Sequence, residues 1–418
     1  MEVEFAYGTS RLRVDLPEAR TTVIVPAYPA PAPDQRAAIV AALREPVGGP
    51  PLRRRVHPGQ TVAIAVCDGT RSQPRRLVVP ALLDELEGIV RLDDVVILVA
   101  TGTHRANSHD ELVDMLGEEI VGAVRIVNHD AGDPGALRWV GSLGRDVPVW
   151  LNAEWLAADV RITTGFVEPH FFAGFSGGPK LVAPGLAGLE TTLTLHDASR
   201  IGHPDARWGV TEGNPVHDDV RAIAVQTGVT FALDVVLGDA GRVVSAFGGD
   251  VLPMHAAACE AARAIAMRAV AQRFDVVVTS NAGFPLDQNL YQAVKGMSAA
   301  AQVVVPGGTV VCAAECRDGF PAQSSFQNQL ISAPSLQGLL ETIVSREQTV
   351  ADQWQIQVLA SIMSKARVVV STGYLSDADL AQAHLEQTHD IERTVGEAGP
   401  QAQICALPEG PLTVPYLA

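Results

Sequence analysis

The sequence predicts an α/β protein built on parallel sheet, and three observations lead to that prediction. Short apolar runs of strand length alternate with stretches of helical periodicity along most of the chain. Polar side chains of several chemical types are concentrated in the loops that directly follow those runs. The chain has 418 residues, 47% of them hydrophobic, so two domains with separate cores are expected.

The first strand–loop–helix segment begins at residues 61–67 (TVAIAVC), a β-branched apolar run that predicts a buried strand. The loop DGTR (68–71) follows, and a helical stretch covers 75–88. A second apolar run over 94–100 ends in the loop TGTHR (101–105). A helix is expected over 108–116, because Ser108 and Glu111 have the spacing of a capping box.

Further strands and helices are predicted in the same way, and they divide the chain into two domains. The N-terminal domain is expected to cover 1–270 and the C-terminal domain 271–400, with the tail 401–418 returning to the first domain. Strands are predicted at 124–127, 159–163, 230–237, 242–246, 275–281, 303–305, 309–313 and 367–371, and helices at 215–227, 252–271, from 352, and at 377–397.

Composition and charge exclude several classes of protein. The net charge of -16 argues against a nucleic-acid partner, because phosphate binding requires a basic surface. No apolar run reaches the roughly eighteen residues of a transmembrane helix, and residues 1–16 alternate like a strand rather than a signal peptide. Five scattered cysteines indicate a reducing cytoplasm, and the pair Cys312 and Cys316 lacks the second pair that a zinc site needs.

The segment 165–200 carries the densest set of reactive side chains. His170 precedes the glycine-rich turn 174–178, Lys180 follows it, and His196 lies sixteen residues further on. Glycine allows positive φ and a close approach of the backbone to a ligand. A Walker A loop is excluded, because Lys180 is followed by leucine rather than by serine or threonine, and the Rossmann spacing G-x-G-x-x-G is absent.

These groups are expected to converge in space, because ligands of parallel sheets bind beyond the carboxyl ends of the strands. Read in order, the motifs resemble the nickel-dependent lactate racemase family. The residues that carry this resemblance are Asp68-Gly69-Thr70-Arg71, Thr101-Gly102-Thr103-His104-Arg105, His170, Gly177-Gly178-Pro179-Lys180, His196, Gln292-Ala293-Val294-Lys295-Gly296 and Trp354.

The resemblance implies two Rossmann-like domains with the active site in the cleft between them. It also implies a nickel-pincer nucleotide, a pyridinium mononucleotide with two sulfur-containing arms that is covalently attached to a lysine and installed by dedicated maturation enzymes. The implied roles are Lys180 as attachment lysine, His196 as nickel ligand, His104 and His170 as acid/base pair, Asp68, Thr70, Gly177 and Gly178 near the cofactor, and Arg71, Lys295, Gln292 and Trp354 at the substrate.

The implied reaction is racemisation of a 2-hydroxy acid, lactate or a relative, by reversible hydride transfer through a 2-keto acid. Because the C2 proton is only weakly acidic, removal as hydride avoids a difficult deprotonation. Two histidines would serve the two enantiomers, and a base of near-neutral pKa suits that task. Arg71 can hold a carboxylate with two hydrogen bonds, and a neutral imidazole at His196 suits nickel.

Each of these residues also has an ordinary structural explanation. His104 can cap the helix after it, Arg71 can pair with Asp68, and His196 can pair with Asp197 on the surface. Lys180 can be solvated and Trp354 can belong to the core. The remaining histidines are interpreted as structural or exposed: His109, His129, His203, His217, His255, His384 and His389.

Two other functions stay open at this point. A mononuclear metal hydrolase could use His104, His170 and His196 as ligands, although such sites usually have histidines at short local spacing. A nucleotide-binding homologue without catalysis is the second alternative. The presence of both His104 and His170 argues against it, because binding alone does not require two bases.

Overall fold

The computed structural model describes residues 1–321 and 324–418, and this part of the chain forms two compact units. The first unit comprises Tyr28–Leu195 and Asp205–Ile265. The second unit comprises Met1–Ala27, His196–Pro204 and Ala266–Ala418. Both units combine parallel sheet with helices, which confirms the predicted α/β class.

The helices are numbered along the chain. They are α1 (Gln35–Arg44), α2 (Arg75–Leu86), α3 (His109–Leu116), α4 (Glu118–Ala123), α5 (Ala153–Ala157), α6 (Leu189–Leu195), α7 (Ala198–Ile201), α8 (Pro215–Thr227), α9 (Val251–Ala266), α10 (Leu290–Ala300), α11 (Phe326–Ser332), α12 (Leu336–Ser345), α13 (Gln353–Met363), α14 (Asp377–Gln382) and α15 (Ile391–Gly396). Among the residues described, none of these helices is both long enough and apolar enough to cross a bilayer.

The strands are numbered in the same way. They are β1 (Glu2–Tyr7), β2 (Ser10–Asp15), β3 (Thr21–Val23), β4 (Val62–Cys67), β5 (Val95–Ala100), β6 (Arg125–Asn128), β7 (Leu137–Leu143), β8 (Val147–Asn152), β9 (Val160–Phe166), β10 (Pro169–His170), β11 (Gly174–Phe175), β12 (Phe231–Leu237), β13 (Val243–Gly249), β14 (Met267–Val270), β15 (Phe274–Ser280), β16 (Val304–Ala313), β17 (Arg367–Ser371), β18 (Glu386–Gln387), β19 (Ile404–Leu407) and β20 (Val414–Leu417).

The first unit is built on a six-stranded sheet of order β13-β12-β9-β4-β5-β6, parallel except for β13. Every residue of β4 is buried, because helices and loops cover both faces of the sheet. Ile64 and Val66 point into the core that α1 and α2 cover, whereas Ala63 and Ala65 point into the core on the opposite face. This two-sided burial explains why the strand is apolar at every position.

The strand order of the first unit reverses between β4 and β9. From β4 the chain proceeds outward to β5 and β6, and it then returns to place β9 and β12 on the other side of β4. Ligands of open α/β sheets bind beyond the carboxyl ends of the strands at such a reversal. The loops that leave the sheet there contain Asp68 after β4 and the glycine-rich turn after β9.

The second unit contains a fully parallel sheet of order β18-β17-β16-β15-β19-β3. Its order reverses between β15 and β19, and the N-terminal hairpin β1–β2 lies against the loops that leave these two strands. The Gly8 amide in the hairpin turn donates to Asp287 Oδ2 at 2.7 Å, and the Ala6 amide donates to the Pro408 carbonyl at 3.0 Å. The chain's own hairpin therefore covers the reversal in this sheet.

Several predicted elements are confirmed, and others are corrected. Helix α8 covers the predicted 215–227, and the capping box of Ser108 and Glu111 is present at α3. The predicted helix 252–271 ends at Ala266, because residues 267–270 pair as β14 with β20.

Two further elements of the second unit are corrected. The two strands predicted at 303–305 and 309–313 form one strand, β16. The helix predicted at 377–397 is interrupted by β18, because this short strand extends the sheet beside β17.

The domain bounds differ from the prediction in two respects. The chain passes into the second unit at Ala266 rather than at 271, and the predicted first domain included residues 1–27 and 196–204, which belong to the second unit. The tail does not return to the first unit. Instead β19 lies between β15 and β3 in the second sheet, because its buried ICAL run supplies the missing strand there.

Candidate functional site

Asp68, the first residue after β4, forms a short hydrogen bond with His104. Its Oδ2 lies 2.7 Å from His104 Nδ1, and its Oδ1 accepts from the Thr70 amide at 2.9 Å and the Thr70 hydroxyl at 2.6 Å. The carboxylate side chain is 5% exposed, whereas the imidazole is 42% exposed. The loop after β4 and the loop after β5 are thus joined by a carboxylate–imidazole pair.

The charge of Asp68 decides how His104 is protonated. Burial alone would raise the pKa of Asp68, but the hydrogen bond from His104, the His104 charge and the nearby Arg71 guanidinium hold that pKa well below its usual range. An ionised carboxylate only accepts hydrogen bonds, so Nδ1 of His104 carries the hydrogen. Nε2 of the neutral ring therefore carries the lone pair, which is the form of a base.

Arg75, a buried arginine outside the predicted set of site residues, fixes the loop 68–71. The Arg75 guanidinium donates to the carbonyls of Cys67, Asp68, Gln73 and Arg71. Burial lowers the pKa of Arg75. The sequence did contain a signal for this role. Arg75 is the first residue of α2, where a cation interacts unfavourably with the helix dipole, and this indicates that the guanidinium has another partner.

The loop after β5 is anchored beneath His104. The buried Thr101 hydroxyl donates to the His129 carbonyl at 2.6 Å, and the His104 amide donates to the Thr101 carbonyl at 3.0 Å. His129 is itself buried, and its Nε2 bonds to the Ala187 carbonyl at 2.9 Å. His104 is therefore held by its backbone and its ring.

His170 lies in the loop after β9, with an environment of amides and aromatic rings. It is the last residue of β10, and its Nδ1 accepts from the Ala173 amide at 3.2 Å. Its ring lies 4.9 Å from the Phe171 ring and 4.5 Å from the Phe172 ring. Because Nδ1 accepts, the hydrogen of the neutral ring is on Nε2, which is the opposite tautomer to that of His104.

The glycine-rich turn is explained by packing of the protein against itself. Gly174, Gly177 and Gly178 all have positive φ, at 77°, 72° and 51°. A Cβ at Gly174 would lie 2.1 Å from the Val210 carbonyl oxygen, and one at Gly177 would lie 2.6 Å from Asp234 Oδ2. Their neighbours in the fold therefore require glycine at these positions, and the approach of a ligand to the turn stays a prediction.

Lys180 follows this turn in a short 3₁₀ helix over Gly178–Leu181. The side chain is half-buried, and its Nζ lies 5.9 Å from the centre of the Phe172 ring. The Lys180 amide donates to the Gly177 carbonyl at 3.1 Å. The main chain from which the Lys180 amine extends is thus tied to the backbone of the turn.

The other predicted residues belong to the second unit. His196 is buried, with its ring centre 4.6 Å from that of Trp354, whose Nε1 donates to the Tyr291 hydroxyl at 2.8 Å. The Asp197 side chain caps α7, where it bonds to Ser199 and Arg200.

Helix α10 carries Gln292 and Lys295 one turn apart. Its N-cap is Asn289, whose side chain accepts from the Gln292 amide at 3.0 Å. The Gln292 Oε1 atom is buried and has no hydrogen-bond partner among the described residues. A buried acceptor without a partner is costly, so this oxygen is suited to a polar ligand.

The structure thus separates the predicted site residues into two groups. The first unit holds Asp68, Thr70, Arg71, His104, His170, Gly177, Gly178 and Lys180, at the reversal of its strand order. The second unit holds His196, Gln292, Lys295 and Trp354. Within residues 1–321 and 324–418, no three or more histidine, cysteine, aspartate or glutamate side chains are grouped to hold a metal ion.

Comparison with known proteins gives matches over most of the chain. A family model for the lactate racemase N-terminal domain matches residues 7–209, and one for the lactate racemase C-terminal domain matches residues 269–414. Lactate racemase of Thermoanaerobacterium thermosaccharolyticum is 35% identical over 375 residues, 88% of each chain. Lactate racemase of Lactiplantibacillus plantarum is 32% identical over the same length and share.

Solved structures agree with these matches. The lactate racemase apoprotein from T. thermosaccharolyticum superposes with a TM-score of 0.92 at 32% identity, covering 99% of this chain and 100% of that one. A protein from Thermotoga maritima superposes with a TM-score of 0.69 at 18% identity, covering 93% and 100%, and shares the fold.

Proposed function

This chain belongs to the lactate racemase family, and we propose that it interconverts the enantiomers of a 2-hydroxy acid, either lactate or a close relative. The observation that carries the proposal is the Asp68–His104 pair at the reversal of the first sheet. It presents a base at the place where open α/β sheets bind their ligands. The relatives named lactate racemase support the class of isomerase.

The proposal includes a nickel-pincer nucleotide attached to Lys180, with His196 as the one protein ligand of nickel. The donor set fits such a group, because a metal that brings most of its own ligands needs a single imidazole, and the buried His196 ring can supply one. The buried Gln292 Oε1, which has no hydrogen-bond partner within the described part of the chain, also suits a polar group. When bound, the nucleotide would supply the acceptor for hydride from C2 of the substrate.

His104 is proposed as the group that takes the hydroxyl proton of one enantiomer at Nε2. The ionised Asp68 stabilises the imidazolium that forms and holds the ring in the tautomer with Nε2 unprotonated. Loss of the hydroxyl proton and of hydride from C2 leaves a planar 2-keto acid. Return of hydride to the opposite face, with a proton on the oxygen, gives the other enantiomer.

His170 is proposed as the partner that serves the oxygen of the opposite enantiomer. With its hydrogen on Nε2, the neutral ring donates a hydrogen bond to the carbonyl or hydroxyl oxygen, and it takes the hydroxyl proton at Nε2 only after that hydrogen has moved to Nδ1. Arg71 is proposed to hold the carboxylate by two hydrogen bonds. Lys295, Gln292 and Trp354 keep the substrate-binding roles that the family resemblance implies.

The proposal also covers location and partners. The five cysteines are free and buried, which fits the reducing cytoplasm predicted from their number and spacing. Maturation enzymes that build and load the nucleotide are the expected partners. No nucleic-acid or membrane partner is proposed.

The test is intact-mass and nickel analysis of the protein from a host that makes the pincer nucleotide. We expect a mass increment of one nucleotide and nearly one nickel per chain, both lost in Lys180→Ala. Lys365→Ala, a change at an exposed lysine, is the matched control and should keep both. An unmodified chain without nickel, from a host shown to load another racemase, would overturn the cofactor assignment.

Racemisation is then followed by polarimetry on each enantiomer of lactate and of longer 2-hydroxy acids. Loss of optical purity only in the loaded protein supports the proposed reaction. A fully loaded chain that leaves every enantiomer unchanged would instead identify a nucleotide-binding homologue without catalysis.

A further inference from the structure

Three buried titratable side chains lie beneath the glycine-rich turn, and each bonds to a different peptide group of it. His217 Nδ1 bonds to the Ala173 carbonyl at 3.1 Å, and His255 Nε2 bonds to the Ser176 carbonyl at 2.8 Å. Asp234 Oδ2 accepts from the Gly178 amide at 2.5 Å. The three residues come from α8, α9 and β12, so they clamp one turn from three separate elements.

Burial favours the neutral form of each of the three groups. Burial is the main cause that lowers the pKa of His217 to about 3, and the neighbouring His255 contributes less. Burial also lowers the pKa of His255 to about 4. Burial raises the pKa of Asp234 to about 7. The two imidazoles are stacked, with centres 5.3 Å apart and planes 15° apart, which neutral rings allow without charge repulsion.

The backbone of the turn is shaped around these groups. A Cβ at Gly178 would lie 2.5 Å from the His255 ring, and one at Gly177 would lie 2.6 Å from Asp234 Oδ2. Both glycines also have positive φ. The side chains and the turn therefore fit together so closely that neither can move by much without breaking a hydrogen bond.

Ala173 connects this buried set to His170. Its carbonyl accepts from His217 Nδ1, and its amide donates to His170 Nδ1 at 3.2 Å. On the other side of the turn, Gly178 bonds to Asp234 and begins the 3₁₀ helix that contains Lys180. One residue, Ala173, thus links a buried histidine to the proposed acid/base histidine, and another, Gly178, links a buried carboxyl to the helix of the attachment lysine.

A role in core packing alone would not require polar groups here. Burying an imidazole or a carboxyl costs free energy unless its hydrogen bonds are made, and an aliphatic side chain would fill the same space without that cost. We propose that His217, His255 and Asp234 are positioning residues that fix the turn 173–178, and through it His170 and Lys180. The consequence for racemisation rests on the proposed function, but the effect on the turn does not.

The test is hydrogen–deuterium exchange of the apoprotein, read by mass spectrometry on peptides that cover 173–180. His217→Leu removes the bond to Ala173, and we expect amide exchange in this segment to rise about tenfold, the effect of one lost hydrogen bond. His217→Asn, which keeps a donor near the position of Nδ1, should exchange close to the unchanged protein. His255→Leu and His255→Gln form the second pair, with the same expected contrast at Ser176.

Ile223→Ala is the matched control. Ile223 is buried on α8 as His217 is. It packs into the hydrophobic core that contains Ala63 and Ala65, whereas His217 bonds to the turn. It should lower the global stability without selective exchange at 173–180. Equal loosening of the turn by Ile223→Ala and His217→Leu, or unchanged exchange in His217→Leu and His255→Leu, would overturn the proposal.

A second measurement keeps the proposal testable if the leucine variants do not fold. In loaded protein, His217→Asn and His255→Gln should have a kcat close to that of the unchanged enzyme, and their KM should be little altered. If these variants fold but their amides at 173–180 exchange at least tenfold faster than those of the unchanged protein, the hydrogen bonds do not fix the turn and the proposal is overturned. Since exchange is measured without nucleotide or substrate, a failure of the racemase proposal leaves this result intact.

Discussion

The two histidines proposed for proton transfer have different surroundings. His104 is 42% exposed and faces a buried, ionised carboxylate through Nδ1. His170 packs against two phenylalanine rings and faces a backbone amide through Nδ1. The carboxyl behind the first ring has its pKa lowered, whereas the carboxyl beneath the turn of the second, Asp234, has its pKa raised to about 7.

This difference teaches that two residues with mirror-image roles need not be supported in the same way. His104 is held as a base, because an anion takes the hydrogen at Nδ1 and stabilises the charged ring. His170 is held as a donor, because its Nδ1 already accepts. Because enantiomers have equal free energies, kcat/KM must be the same in both directions for any variant. The difference between the two histidines is therefore measured by comparing variants of His104 with variants of His170, and not by comparing the two directions of the reaction.

The largest expected effect separates the two histidines directly. His104→Gln removes the base, and we expect kcat/KM to fall by about 10²–10⁴-fold. His170→Gln keeps an N–H donor near the position of Nε2, so its loss should be at least tenfold smaller. Polarimetry on protein whose loading is checked by mass measures both. Equal losses would contradict the assigned tautomers.

The next effect tests the carboxylate. Asp68→Asn removes the anion but keeps the size of the side chain, so His104 loses both its fixed tautomer and the stabilisation of its charged form. We expect kcat to fall by about 10²-fold, the cost of a misplaced catalytic group. The His104 ring can be followed by NMR in the apoprotein, where the chemical shifts of the ring nitrogens distinguish the tautomers. An unchanged Nδ1–H signal in Asp68→Asn would argue against the role given to Asp68.

The two carboxyls should also give stability opposite dependences on pH. The raised pKa of Asp234 means that the folded protein retains a proton that the unfolded chain releases near pH 4, so this contribution is lost as pH rises from about 4 to 7. Asp68, with a lowered pKa, contributes stability above about pH 4 that is lost in acid.

The free energy of unfolding of the unchanged protein should therefore decline between pH 5 and pH 8. In Asp234→Asn this decline should be smaller by about 3 kcal/mol. Urea unfolding at both pH values measures this change. The same decline in Asp234→Asn and the unchanged protein would show that another group causes it.

The smallest effect concerns the loop that carries Asp68. Arg75→Met keeps the length of the side chain but removes the side-chain donor of the Cys67 and Arg71 carbonyls, whereas the Asp68 carbonyl keeps its bond from the Arg71 amide. We expect about a tenfold fall in kcat and a loss of 1–3 kcal/mol in stability, about the cost of unsatisfied buried groups. Arg76→Met, at the next, exposed arginine, is the control and should change neither by much.

Much of the first unit could be predicted, because its signals are local. Apolar runs predict β4, β5 and β9, and the parallel arrangement places Asp68, His104 and the glycine-rich turn at one edge of the sheet. The family resemblance then supplied roles for these residues. Their hydrogen-bond partners were harder to predict, because the bond between Asp68 and His104 joins residues 36 positions apart in the sequence.

The buried residues beneath the site could not be predicted from local patterns. His217 and His255 were grouped with structural or exposed histidines, and Asp234 stands within the apolar run FALDVVL without a distinguishing neighbour. Their function depends on peptide groups that approach from another part of the chain. The same holds for β14, where pairing with β20 ends a helix that the sequence pattern extends to 271.

The placement of β19 between β15 and β3 has a consequence for how the protein is made. Thr21 of β3 pairs with Ile404 of β19, so about 380 residues must leave the ribosome after one partner before the other exists. At 5–20 residues per second this takes roughly 20 to 80 seconds. Throughout that time the edge of β3 that β19 will cover stays open to other strands, including those of neighbouring nascent chains, and the edge of β15 stays open from its own synthesis onward. Chaperones that bind unpaired strands would therefore have their longest opportunity on the second unit, whereas the first unit can complete its sheet while synthesis continues.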